Sequence, residues 1–176
     1  MSKEIAYNER DVTKVLKEEL SRLAERIKQN HISAGQVASG RTLESITYEV
    51  KEGEGSLFGR FPFGTLETGR RAGAVPLAFD AIIRQWILDK GISVEPIPYK
   101  RKPTKDWQPK YTPEERGLRT MASAIATKIR KEGTALYRNG GRNDIYSNEI
   151  PDAIQRVEER IGNLFETMIE HIHLNA

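Results

Sequence analysis

The chain has 176 residues, a net charge of +3 and no cysteine, so one domain of ordinary size is expected, while disulfides and thiolate metal sites are excluded. Its apolar share of 38% is low and its charged share of 30% is high, a balance that folds but leaves part of the length irregular or held by partners. The N-terminal MSKEIAYNERD has no apolar core, and no apolar run approaches the roughly 18 residues needed to span a bilayer, so the expectation is a soluble protein made in the cytosol with no membrane partner.

The first element predicted is a helix from Asp11 to Gln29. Val12, Val15, Leu16, Leu20, Leu23 and Ile27 recur at helical spacing, with Lys14, Lys17, Glu18, Arg22, Glu25 and Arg26 on the other face. Ser39 is expected to cap a short turn through Arg41–Glu44. Ile46–Val50 alternates and is rich in β-formers, so it reads as a strand. A turn at Gly53–Gly55 leads to a return strand over Ser56–Phe63, in which Gly59 marks a bulge or a close approach and Pro62 an end. Gly64–Gly73 reads as a glycine-rich connection.

A second helix is predicted over Pro76–Lys90, with Leu77, Ile82, Ile83, Trp86 and Ile87 on its apolar face and Gly91 as its stop. Residues 92–113 hold five of the eight prolines, which bars a helix or a central strand. They also hold Lys100, Arg101, Lys102, Lys105 and Lys110 against Glu95 and Asp106, whereas the other 23 bases meet 23 acids. The third helix opens with Thr112 as N-cap, Pro113 in the first turn and Glu115 completing a capping box. It buries Leu118, Met121, Ala122, Ile125, Ala126 and Ile129 and stops at Gly133. Residues 134–148 are expected to be irregular. A last helix of about 24 residues, roughly 36 Å long, runs from Asn148 to Ile172 with an apolar stripe from Ile154 to Ile172 that serves as core or as a subunit contact. The fold class is therefore α+β: a small antiparallel sheet packed by the N-terminal helix and three further helices, with long irregular arms and room for a third strand at Ile92–Val94 or near Ile145.

No motif carries chemistry. His171 and His173 lack the i, i+4 spacing of a helical metal pair, and His31 stands apart. Glycines 64, 69 and 73 are not followed by the Lys-Ser/Thr of a phosphate loop, and no nucleophile elbow occurs. Most of Glu44, Glu49, Glu52, Glu54, Glu67 and Asp80 read as solvated faces rather than a metal cluster. The expectation is a protein that is not an enzyme and uses no cofactor or metal. The sharpest feature is the run from Tyr99 to Tyr111, in which Lys100, Arg101, Lys102, Lys105 and Lys110 interleave with Tyr99, Trp107 and Tyr111. It suits an arm that docks on a protein partner; a plain solvated loop and a nucleic-acid contact using backbone charge and base stacking are the alternatives.

Several pieces, taken in order, resemble the head–tail joining or tail-completion (neck) proteins of tailed bacteriophages. After the N-terminal helix, Ala38–Ile46 resembles the family's small-Gly-x-Leu-x-x-Ser-Ile lead into the first strand. Phe63–Arg70 resembles its strand end with a Glu beside a Gly-Thr or Thr-Gly pair. Ile82–Ile92 resembles its helix ending in Trp and then Lys-Gly-Ile, and Met121–Thr134 its Ala-rich helix closing on Lys-x-Gly-Thr. The family's Pro-Phe-Leu-type segment before the last helix is missing, and the basic insertion is longer. The resemblance implies a structural virion protein, made in the host cytoplasm. It would form a homo-oligomeric ring between portal or adaptor and tail or terminator proteins, with DNA passing through its lumen. It also implies that residues 99–111 order on docking and that Arg70 and Arg71 lie at a ring contact or lumen loop. A small nucleic-acid-binding protein using the same basic loop is the alternative.

Overall fold

A computed structural model describes residues 2–101, 103–106 and 108–174, with side chains from residue 11 onward except at 62 and 171–174. The elements in chain order are α1 (Ser2–Ser33), α2 (Arg41–Glu44), β1 (Thr47–Lys51), β2 (Glu54–Phe58), a 3₁₀ turn (Phe61–Gly64), α3 (Thr65–Thr68), α4 (Phe79–Asp89), α5 (Pro113–Glu132), α6 (Ala135–Arg138) and α7 (Glu149–Leu174). The fold is a small α+β fold with one two-stranded antiparallel sheet, and no third strand forms among the described residues. The chain divides into two compact units, residues 1–67 with 142–176 and residues 68–141.

In the first unit, α1 is the platform. Leu23, Ala24 and Ile27 from α1 bury against Ile46, Ile145 and Ala153, with Leu57, Phe63, Leu66 and Tyr146 packed around them. The hairpin joins β1 to β2 from Thr47↔Phe58 to Lys51↔Glu54. Its turn is Glu52–Gly53, both at positive φ (49° and 82°), the two-residue geometry whose twist matches that of paired strands; of the expected Gly53–Gly55 turn, Glu54 and Gly55 are instead in β2. Gly55 lies on α1, where a Cβ would come within 2.7 Å of Leu20. β2 stops at Phe58 rather than Phe63, because the chain turns into the 3₁₀ segment and places the Phe63 ring over Gly59. Phe63 then stacks on Tyr146 with centroids 5.1 Å apart. Nor does Ser39 cap α2: that position is Gly40, at φ 79° with no side-chain bond, while the Ser39 hydroxyl accepts from Arg41 Nε.

Ion pairs join α7 to α1. Arg26 donates Nε and Nη2 to Glu149 at 3.2 Å each, and Asn30 Nδ2 donates to Glu149 at 3.0 Å. Three turns before Asn30 on α1, Glu19 is 1% exposed. It accepts from Arg156 Nε at 2.9 Å and Arg160 Nη1 at 2.8 Å.

In the second unit, α4 and α5 pack through Ile83, Ile87, Ala122 and Ala126, with Ile92 and Val94 added to the same core rather than to the sheet. α4 begins at Phe79 rather than Pro76, and of its predicted apolar face Leu77, Ile82 and Trp86 are exposed. Thr112 caps α5 through its Oγ1, which accepts from the Glu115 N–H at 3.2 Å. The reciprocal half of the box is replaced: the Glu115 carboxylate accepts from Arg119 at 3.2 Å. The segment expected to be irregular after Gly133 contains α6, capped by Thr134, whose Oγ1 accepts from the Tyr137 N–H.

Candidate interaction surface

The proline-rich segment is strapped along the first turns of α5 rather than held clear of the unit. The Ile97 N–H donates to the Pro113 carbonyl at 2.8 Å. Arg116 Nη1 donates to the carbonyls of Ile97 and Pro98 at 3.0 and 2.9 Å, and its guanidinium lies 4.0 Å over the Tyr99 ring. At the other end, the Tyr111 ring has Arg119 at 3.9 Å and Lys110 at 5.3 Å. Gly117 permits the approach, since a Cβ there would meet the Glu95 carbonyl at 2.1 Å. Backbone bonds and cation–π stacking fix both ends of the strap. Tyr99 and Tyr111 each carry a cation on the ring, so these two tyrosines act as clasps.

Between the clasps, Lys100, Arg101, Lys105 and Lys110 are exposed. Lys102 and Trp107 lie outside the described residues. Arg70 is turned to internal work: its N–H donates to Thr134 Oγ1 at 2.9 Å, its guanidinium donates to the Ala74 carbonyl, and it lies 5.6 Å over the Phe79 ring. Arg71 beside it is exposed.

The charge divides with the units. Residues 68–141 carry 15 Lys and Arg against 7 Asp and Glu, a net of +8, whereas residues 1–67 with 142–176 carry 13 against 18, a net of −5. The balance outside 92–113 therefore conceals a segregation that only the fold reveals. In the first unit the acids are partly spent on structure. Glu67, expected on a solvated face, is 3% exposed. Its Oε1 accepts the backbone N–H groups of Ile145, Tyr146 and Ser147 at 2.9, 2.7 and 3.0 Å, and its Oε2 accepts from the Ser147 hydroxyl. Burial pushes this carboxyl up, but the Ser147 hydroxyl and the three N–H groups outweigh it and hold the carboxyl below the usual range. Among the described residues no three His, Asp or Glu side chains are placed to hold a metal ion, and no helix is long and apolar enough to cross a membrane.

Two apolar faces are open to solvent. On α7, Ile154, Phe165 and Ile169 are 53%, 44% and 55% exposed; in the second unit Leu77, Ile82, Trp86 and Leu88 are exposed. Sequence reasoning placed all of these except Leu88 on apolar stripes, and it missed Arg116, Arg119 and Glu19. Glu19 had a legible signal: it sits four residues after Val15 and four before Leu23, inside the apolar stripe of α1. No family model, curated protein or solved structure matches this chain.

Proposed function

We propose that the chain is a non-enzymatic structural protein of a tailed bacteriophage neck, built into a homo-oligomeric ring between portal or adaptor and tail or terminator proteins. The observation that carries this reading is the pair of open apolar faces, Ile154, Phe165 and Ile169 on α7 and Ile82 and Trp86 on α4. Aliphatic and aromatic side chains left half in water on two separate units are the surfaces that assembly buries. The order of the resembling segments along the chain gives the class of assembly, and the strapped basic segment gives it an arm. The clasps at Tyr99 and Tyr111 hold the ends of that arm in advance, so docking orders only its tip and costs less entropy than folding a free loop.

The test is a cryo-EM map of the particle produced by the genome that encodes the chain. A ring at the head–tail junction into which α1, α7 and the α4–α5 pair fit, with residues 99–111 against a neighbour, is the expected result. A complete junction with no density for this chain would overturn the reading.

A further inference from the structure

The solvent side of α5 has a composition that the assembly reading leaves unexplained. Leu118, Ala122, Ile125, Ala126 and Ile129 turn one side of the helix into the core of its unit. The opposite side is an open surface formed chiefly by Arg119, Thr120, Ser123, Thr127, Lys128 and Lys131. Arg130 is also exposed near its C-terminal end. The one carboxylate in the lining, Glu132, accepts from Arg138. From Arg119 to Lys131 the helix rises about 18 Å, with three hydroxyls at Thr120, Ser123 and Thr127 followed by cations at Lys128 and Lys131, a length that spans a few phosphates of one DNA strand.

We infer that this face of α5 is a track for the phosphate backbone of duplex DNA, read without regard to base sequence. Lys128 and Lys131 supply charge, and the hydroxyls of Thr120, Ser123 and Thr127 donate to phosphate oxygens along the two turns before them. Three observations favour a phosphate backbone over an acidic protein. The face belongs to the unit of net charge +8. Its donors extend over three turns, hydroxyls from Thr120 to Thr127 and then the lysines, rather than meeting at one point. It also offers no aromatic or large aliphatic anchor, Ala124 being its sole apolar residue, and such anchors carry most of the affinity of a protein contact. The inference deepens the neck reading, on which it rests for the identity of the polyanion: it names the surface that faces DNA.

The experiment measures binding of a fluorescent DNA duplex by the full-length protein across a salt series, for the wild type, Lys128→Gln/Lys131→Gln and Lys100→Gln/Lys105→Gln. Circular dichroism establishes that each variant keeps its helices; the four lysines are exposed. The expected result is binding that weakens steeply with salt, with the α5 variant lowering the slope of log K against log salt by about 2, near 1 for each phosphate that a lysine no longer neutralises. The inference is overturned if the wild type fails to bind at about 50 mM salt, or if the α5 variant binds as the wild type does, whatever the loop variant does. Poly-glutamate displacing the duplex at equal charge would overturn it in favour of an acidic protein. DNA binding through α5 by a protein missing from the junction would sink the neck reading alone. A ring at the junction whose α5 variant binds DNA unchanged would sink this inference alone.

Discussion

The Glu67 carboxylate accepts the Ile145 N–H at 2.9 Å across 78 residues of chain, and the same oxygen gathers the next two N–H groups. One buried side chain thereby closes the connection that returns the chain to α7. Glu67→Ala would leave those N–H groups buried and unpaired, and we expect a loss of about 3 kcal/mol or more. Glu67→Gln keeps an acceptor but forfeits the charge, at about 1–2 kcal/mol. Because the folded carboxyl sits below its unfolded value of about 4.3, its contribution is present above that pH and fades as pH falls through the folded value. Urea unfolding from pH 7 to 3 should therefore show a flatter acid limb for Glu67→Gln; a limb as steep as the wild type would count against the assignment.

The Glu19 cluster makes a different prediction. Burial pushes this carboxyl up, and the Arg156 and Arg160 bonds override it to leave it lowered. Both arginines are about one-third exposed, so removing Glu19 lets them turn to water. Removing both arginines leaves a charge that is 1% exposed with only Arg22, 3.6 Å away on the same helix, to face it. We expect Arg156→Ala/Arg160→Ala to cost about 3–5 kcal/mol and Glu19→Leu, within the stripe of Val15, Leu16 and Leu23, to be within about 1 kcal/mol of neutral. Equal losses in the two variants by chemical denaturation would refute this account.

Two helical glycines should respond oppositely to alanine. At Gly117 the new Cβ would stand 2.1 Å from the Glu95 carbonyl, so the strap must lift and the Arg116 bonds to Ile97 and Pro98 go with it. We expect a net loss of about 2 kcal/mol, although alanine favours the helix by about 1 kcal/mol. At Gly162 on α7 nothing lies within 4 Å of the Cβ position, and the propensity gain of about 0.5–1 kcal/mol should appear in full. Hydrogen exchange at the Ile97 N–H separates the cases: faster in Gly117→Ala, unchanged in Gly162→Ala.

The helices α1, α4, α5 and α7 were legible because their apolar residues repeat at helical period, and the hairpin through its β-forming residues and glycine turn, although neither strand has a buried residue. Boundaries failed where local chemistry was ambiguous: Pro62 and Pro76 mark the ends of elements without fixing which side they lie on, and Ser39 was a plausible cap beside a glycine that took the position. The strap was not legible, because Pro-rich composition excludes helix and strand but does not say what the segment rests on; that depends on Gly117 and Arg116, more than ten residues away. The division of charge was hidden for a related reason. Residues 1–67 and 142–176 form one unit from two ends of the chain, so a running count along the sequence mixes them with the basic unit between.

The open face of α7 gives the prediction closest to the proposed assembly. Ile154, Phe165 and Ile169 lie on the outer side of a helix whose inner side meets α1, and the exposed Glu158, Glu166 and Glu170 lie near them along α7. Glu158 falls on the same side, between Ile154 and Phe165, and an apolar face that carries an exposed carboxylate suits a contact rather than a core. Phe165→Ser/Ile169→Ser removes side chains that are already half in water, so the free energy of unfolding should change by less than about 1 kcal/mol. The same variant should fail to enter particles in a complementation assay, leaving separated heads and tails. Unfolding curves measured beside particle counts separate the two effects. Normal joining by this variant would remove α7 from the interface, whereas lost joining with unchanged stability would mean that these side chains serve a neighbour and not the fold.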